Sequence, residues 1–187
     1  MNRLAMSATL TVALTVAAAL VWGTPGTVAA DTVAASSPGV EAQFEGSTID
    51  LSEGWGAARA CAVTTSSVDC YRSEAEMDAA LAAAVGASAG SEVGILTVSC
   101  SSSLRLYSGA SYTGSVLYLA VRLVAINLSP LGFDNTTSSY RVGACDSDLY
   151  SGANLGGSLY PGDTTAGAQA ASMVSGWNNV VSSVFLY

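Results

Sequence analysis

Two six-residue runs carry the side chains of this sequence that could do chemistry. The first run is 134–139, Asp-Asn-Thr-Thr-Ser-Ser, and the second run is 178–183, Asn-Asn-Val-Val-Ser-Ser. Ca²⁺ prefers hard oxygen ligands, and it accepts carboxylate, amide and backbone carbonyl oxygens. Such residues are also ordinary turn formers, so one run alone would indicate only a turn. Two copies, 44 positions apart, favour a divalent-ion site.

A second motif repeats with nearly the same spacing. Residues 106–114, LYSGASYTG, recur as residues 149–157, LYSGANLGG, 43 positions later. Two motifs in one order and at a nearly constant offset indicate two copies of one supersecondary unit. Short apolar segments alternate with Ser, Gly and Asn turns from Ile95 onward, which is typical of a β-sandwich or barrel. Four strands per copy, with a long return connection, would form a Greek key.

These motifs resemble the signatures of the βγ-crystallin family. Two segments, Tyr107…Tyr112-x-Gly114 and Tyr150…Leu155-x-Gly157, are similar to the family's hairpin signature. Leu155 stands where the family usually has an aromatic residue. The calcium signature, Asx-Asx-x-x-Ser/Thr-Ser, is similar to both runs. The resemblance covers roughly residues 100–187 and implies a mostly β protein with a double Greek-key βγ-crystallin-like sandwich at about 96–187. The two keys would be about 96–143 and 144–187.

The resemblance also implies that the two runs exchange ligands around two Ca²⁺ ions. One ion would be held by Asn135, the Thr136 carbonyl and Ser182, and the other by Asn179, the Val180 carbonyl and Ser138. The full predicted ligand set is Asp134, Asn135, Thr136, Ser138, Asn178, Asn179, Val180 and Ser182. Ser139 and Ser183 would bond the backbone instead. Asp134 is the one carboxylate of the set, so we expect weak binding, on the order of 10⁻⁴ M or poorer.

The first thirty residues have the pattern of a secretory signal peptide, 1–30. Arg3 precedes an apolar stretch at 4–22, and the small residues 28–30 form a cleavage site before Asp31. A membrane anchor is the alternative, but the apolar run is short for a bilayer and ends in Gly and Pro. We therefore expect a secreted, extracellular protein without membrane association after cleavage.

Four cysteines predict two disulfides in an exported chain. The residues are Cys61, Cys70, Cys100 and Cys145, and three pairings are possible. The short spacing of Cys61 and Cys70 suits a hairpin. Cys100 and Cys145 precede their hairpin motifs by similar distances, so the pairs Cys61–Cys70 and Cys100–Cys145 are preferred.

The chain before the repeats divides into two parts. Residues 31–43 show little pattern and are predicted to be a flexible leader. Residues 44–95 are predicted to be a small region of their own, with a hairpin around the turn at 64–67. A helix then begins at a capping box formed by Ser73 and Glu76 and stops near Gly86.

Composition argues against several classes of function. The chain has 14 acidic and 6 basic residues, a net charge of −8, no Lys and no His, which disfavours nucleic acid and anionic membranes as partners. Without His there is no Ser-His-Asp triad or His-based zinc centre, and without Lys there is no Schiff-base amine. Asp146 and Asp148 could be imagined as a glycosidase pair, but they lie on a turn. We expect that the protein is not an enzyme.

The sequence therefore predicts a secreted, non-catalytic, Ca²⁺-binding protein whose fold is stabilised by the ion. Its partners would be calcium ions and either a cell-envelope component or a protease. The alternative is a peptidase inhibitor or antimicrobial, because bacterial secreted proteins similar to this fold include metalloproteinase inhibitors and killer-toxin-like proteins. The segment 158–175, with the stiff turn 160–163, would then be the inhibitory loop.

Overall fold

The computed structural model describes residues 39–88 and 103–187, which form eleven strands in two sheets and one α-helix. The elements are β1 (Glu41–Phe44), β2 (Ser47–Asp50), β3 (Ala60–Val63), β4 (Val68–Tyr71), α1 (Glu74–Ser88), β5 (Leu104–Gly109), β6 (Thr113–Leu119), β7 (Ala125–Asn127), β8 (Ser139–Val142), β9 (Ser147–Tyr150), β10 (Gln169–Ala170) and β11 (Ser183–Leu186). The mostly β prediction is confirmed. The predicted signal peptide and Cys100 lie outside the described residues, so the Cys100–Cys145 bridge stays a prediction.

The two repeats exchange one strand with each other. One sheet has the order β10-β8-β5-β6-β3-β4-β1-β2, and the other has the order β7-β11-β9. Strand β7 of the first repeat pairs with β11 of the second, and β10 of the second pairs with β8 of the first. A bridge from Tyr150 to Leu159 continues the second sheet beyond β9. This reciprocal exchange confirms the predicted double Greek key.

The hairpin corner of each repeat has the same backbone. Ser111 and Tyr112 have φ of 56° and 61°, and Asn154 and Leu155 have φ of 54° and 60°. Leu155 therefore occupies the corner without changing its conformation.

A glycine closes each corner because a side chain would not fit there. Gly114 has a φ of 80°, and a Cβ on it would lie 2.3 Å from Ser108 Oγ. Gly157 has a φ of 74°, and its Cβ would lie 2.4 Å from Ser151 Oγ. A positive φ together with this close approach requires glycine.

Strands β5 and β9 point apolar side chains of alternate residues into the main core. Leu104 and Leu106 of β5 are fully buried, and Leu149 of β9 is equally buried in the other sheet. Aromatic side chains close one part of this core, where the ring of Tyr160 packs edge-on against Tyr140 and Trp177 at centroid distances of 5.6 and 5.2 Å. Alternation of this kind is what a sheet with one buried face requires.

The predicted hairpin at 60–71 is present, and it extends the crystallin-like sheet. Strand β3 pairs with β4 in antiparallel fashion, and the Cys61–Cys70 disulfide joins directly opposite residues whose Cα atoms are 4.1 Å apart. On its other side β3 pairs with β6 in parallel, with Ala60 opposite Val116. The region 44–95, expected to be a unit of its own, thus contributes strands to the sheet of the first repeat.

The prediction of a flexible leader at residues 31–43 is wrong for its last three residues. Residues 41–43 belong to β1, which pairs with β2 and, in parallel, with β4. Glu45 and Gly46 form the intervening turn with φ of 50° and 80°. The pairing with β2 is a local hairpin, so the strand at 41–44 was within reach of sequence reasoning, whereas the pairing with β4 joins distant segments.

Helix α1 begins with a modified capping box. The Glu76 N–H donates to Ser73 Oγ at 3.2 Å, as predicted, but the Glu76 carboxylate accepts from the Arg72 N–H at 3.0 Å rather than from Ser73. The helix ends at Ser88, two residues beyond Gly86. Within residues 39–88 and 103–187, no helix has the length and apolarity needed to cross a membrane.

Candidate metal centre

The two runs lie side by side, joined by reciprocal backbone hydrogen bonds. The Asn135 N–H donates to the Val181 carbonyl at 3.0 Å, and the Asn179 N–H donates to the Thr137 carbonyl at 2.9 Å. Asn135 and Asn179 have φ of 53° and 58°, a left-handed conformation that asparagine tolerates better than most residues. The fold thus brings together two bends that are 44 positions apart in sequence.

Each predicted side-chain pair meets across this contact. Ser138 Oγ lies 3.1 Å from Asn179 Oδ1, and Ser182 Oγ lies 3.4 Å from Asn135 Oδ1. Both distances are long for an O–H···O hydrogen bond, whose usual length is about 2.7–2.8 Å. The oxygens that were predicted to share an ion are therefore neighbours that bind each other only weakly.

Ser139 and Ser183 have the turn-stabilising role expected of them. The Ser139 hydroxyl donates to the Gly109 carbonyl at 2.6 Å, and the Ser183 hydroxyl donates to the Gly152 carbonyl at 2.6 Å. Each hydroxyl also accepts a hydrogen bond from the hairpin corner of its own repeat, from the N–H of Tyr112 or of Leu155. These two serines tie each run to a corner and are not free to bind a metal.

The remaining predicted ligands surround the same contact. Asp134 and Asn178 are exposed, and Asp134 Oδ2 accepts from the Asn135 amide at 3.0 Å. Thr136 and Val180 are half-buried, and among the described residues no backbone N–H donates to either carbonyl. Both carbonyl oxygens are thus available at the positions where they were predicted to bind an ion.

The donor set is rich in oxygen but poor in charge. No group of three or more His, Cys, Asp or Glu side chains suited to a metal occurs within residues 39–88 and 103–187. Neutral amide, hydroxyl and carbonyl oxygens with a single carboxylate suit a hard cation such as Ca²⁺ rather than a transition metal. The residues therefore fit a weakly held calcium ion.

A cavity of about 370 Å³ borders the Asn135–Ser182 pair. Its lining is Asn127, Ser129, Pro130, Asp134, Ala153, Asn154 and Ser182. We call it the first-run cavity. Asn127 and Asn154 bond each other twice in this lining, at 2.8 and 2.7 Å. Asn127 lies outside both repeated motifs, and Asn154 lies in the hairpin motif 149–157 at a position where the first copy has Ser111, so the sequence analysis did not select them.

Other groups that could have carried chemistry have structural partners. Asp146 accepts a hydrogen bond from the Ala166 N–H at 2.8 Å, and Asp148 accepts one from the Tyr187 hydroxyl at 2.8 Å. The bond to Asp148 raises the pKa of Tyr187 above its ordinary value. The predicted inhibitory segment 158–175 is fastened to the sandwich, because Tyr160 is buried and the Tyr140 hydroxyl donates to the Asp163 carbonyl.

The fold is similar to solved βγ-crystallin domains over about half of the chain or less. A domain from Ciona intestinalis is 18% identical, with a TM-score of 0.39, and the match covers 46% of this chain and 99% of that domain. A domain from Flavobacterium johnsoniae is 24% identical, with a TM-score of 0.37 and coverage of 45% and 92%. One from Clostridium beijerinckii is 19% identical, with a TM-score of 0.38 and coverage of 46% and 97%. No protein-family model and no curated protein matches the sequence.

Proposed function

We propose that the protein is a secreted, non-catalytic Ca²⁺-binding module in which two ions tie the paired runs together. The observation that supports this proposal is the reciprocal approach of Ser138 to Asn179 and of Ser182 to Asn135, at 3.1 and 3.4 Å. Each ion would also bind the carbonyl of Thr136 or Val180. A bound Ca²⁺ would attract both oxygens of each Ser–Asn pair, which are otherwise joined only by a long hydrogen bond.

The effect of the ion would be on stability. A ligand that binds only the folded state stabilises it by RT ln(1 + [L]/Kd), which is about 2.7 kcal/mol at a concentration of 100 times Kd. With a Kd on the order of 10⁻⁴ M at one site and weaker binding at the other, about 10 mM Ca²⁺ would supply about this amount. Because the runs join the first repeat to the second, the gain should appear as a later unfolding of the whole sandwich.

Thermal melting with and without Ca²⁺ tests the proposal. At about 10 mM CaCl₂ the melting temperature should rise by about 5–10 °C, since about 1 kcal/mol corresponds to about 2–4 °C in a chain of this size. The same concentration of NaCl, raised threefold to match ionic strength, is the control. An equal rise in both salts would mean that screening of the net negative charge, and not a site, causes the effect.

The peptidase-inhibitor alternative gains no support from the described residues. An inhibitory loop must protrude rigidly, whereas Tyr160 in this segment is 4% exposed and packs between two aromatic rings. The partner beyond calcium would then be a component of the cell envelope or the medium. A panel of proteases assayed with the purified protein should show no inhibition at micromolar concentration.

A further inference from the structure

The two repeats differ where they border the paired runs. In the first-run cavity the Asn154 N–H donates to the Asn127 side-chain oxygen at 2.7 Å. The equivalent contact beside the other run is a backbone bond, from the Ser111 N–H to the Ala171 carbonyl at 2.6 Å. Asn127 and Ala171 occupy equivalent positions of the exchanged strands, and Asn154 and Ser111 occupy equivalent positions of the hairpin corners. One copy is thus lined by two amides, and the other has none at these positions.

The two runs also differ in charge, and the first run is the more polar one here as well. Asp134 opens the first run and lines the cavity, whereas Asn178 opens the second run. Asp134, Ser129 and Asn154 are all exposed, so the cavity opens to solvent. Ser182, which belongs to the predicted ion ligands, lies on its inner side and is half-buried. A molecule in the cavity would therefore contact polar side chains and, at Ser182, lie beside the proposed ion site.

We propose that the first-run cavity binds a neutral polyhydroxylated ligand, such as a saccharide, through two adjacent hydroxyl groups. The hydroxyl oxygens would complete the coordination of the ion in place of water, and the amides of Asn127 and Asn154 would bond the same hydroxyls. This inference rests on the proposed binding of Ca²⁺ at the first run. It gives the module a ligand, and it assigns that ligand to the site of the first run and not to the equivalent site of the second run.

The residues that line the cavity favour a neutral polyhydroxylated ligand. None of its seven residues is basic, so the lining offers no cationic side chain to pair with a phosphate or a carboxylate. None is aromatic, so a planar ring has nothing to stack on. Amides and hydroxyls that both donate and accept suit alcohol groups. The volume of about 370 Å³ is within the range of small-molecule sites.

The test uses ¹⁵N–¹H NMR of the full protein with methyl α-D-mannopyranoside and methyl β-D-galactopyranoside as probes. With saturating CaCl₂, at least one probe should shift the signals of residues 127–129 and 153–155. With EGTA in place of CaCl₂ the apparent affinity should fall by about tenfold or more. Calorimetry of Ca²⁺ binding without sugar is run in parallel, so that failure of the ion site is detected separately.

The variant Asn127→Ala/Asn154→Ser carries at each position the residue of the equivalent position, Ala171 or Ser111, so its corner should fold as that of Ser111 does. It should keep Ca²⁺ binding and lose the sugar-induced shifts. The control Ser111→Gly changes the equivalent corner of the other repeat, where a φ of 56° accommodates glycine, and should bind sugar as before. The proposal is overturned if neither probe shifts these signals while Ca²⁺ is bound. It is equally overturned if the shifts persist in EGTA or in the double variant.

Discussion

Thr137 carries a buried hydroxyl at the centre of the contact between the two runs. Its side chain is 0% exposed, and Oγ1 is the single buried side-chain oxygen or nitrogen within the described ranges that lacks a hydrogen-bond partner. Val181, also 0% exposed, is its equivalent in the second run. The carbonyls of both residues accept the reciprocal bonds from the paired asparagines. We predict that Thr137→Val stabilises the protein, because valine keeps the shape and removes the unpaired hydroxyl.

The magnitude follows from the cost of a buried polar group. Leaving such a group without a partner costs about 1–3 kcal/mol, so Thr137→Val should raise the free energy of unfolding by about 1–2 kcal/mol. The melting temperature should then rise by about 2–8 °C. The reverse change, Val181→Thr, places a second unpaired hydroxyl in the contact and should lower the free energy of unfolding by about 1–3 kcal/mol.

Urea denaturation and thermal melting, both followed by circular dichroism in EGTA, measure these changes. Neither side chain belongs to the predicted ion ligands, so the response to Ca²⁺ should be the same in Thr137→Val and in the wild-type protein. A decrease in stability of more than about 1 kcal/mol in Thr137→Val, with a native spectrum, would refute the reasoning, because the hydroxyl would then have a stabilising partner.

Two further predictions concern the first repeat. Gly114→Ala should lower the free energy of unfolding by about 2 kcal/mol or more. A left-handed alanine costs about 1–2 kcal/mol, and its Cβ would also meet Ser108 Oγ. Urea denaturation measures this loss, and Gly86→Ala, at a helix position with open space around it, is the control. Burial, and then the hydrogen bond to Glu74, raise the pKa of Tyr107 from 10.0 to about 12. Because the folded pKa is raised, this contribution to stability is fully present below pH 10 and is lost as the pH rises through about 12. Thermal melting between pH 9 and about 12 should show that loss in the wild-type protein and a smaller one in Tyr107→Phe.

Either prediction has a clear contrary outcome. If Gly114→Ala is as stable as Gly86→Ala, the corner does not require a left-handed residue. If Tyr107→Phe and the wild-type protein lose stability in parallel up to pH 12, ionisation of Tyr107 has no part in the alkaline transition.

The repeats made the centre of the fold predictable. Each run encodes half of a contact, so matching Ser138 with Asn179 required only the offset between the copies and the family resemblance. The same holds for Ser139 and Ser183, whose hydroxyls fasten each run to its hairpin corner. Features that both copies share are visible in sequence because they occur twice.

Features that occur once were harder to predict. The parallel pairings of β1 with β4 and of β3 with β6 join segments far apart in sequence, so neighbouring residues do not reveal these partners. Asn127 lies outside both motifs, and it meets Asn154, a variable position of the hairpin motif, because β7 is exchanged into the second sheet. Thr137 looks like one more turn residue until its burial is known.

A calorimetric Ca²⁺ titration of the wild-type protein and of Ser138→Ala/Ser182→Ala tests the central claim most directly. Thr136→Val is the matched control, because it alters a side chain in the first run and keeps the carbonyl that is predicted to bind. The wild-type protein and the control should bind Ca²⁺ with a Kd on the order of 10⁻⁴ M or weaker, and the double variant should bind about tenfold more weakly while remaining folded. Equal binding by the double variant and the wild-type protein, or no binding by a folded wild-type protein, would contradict the account.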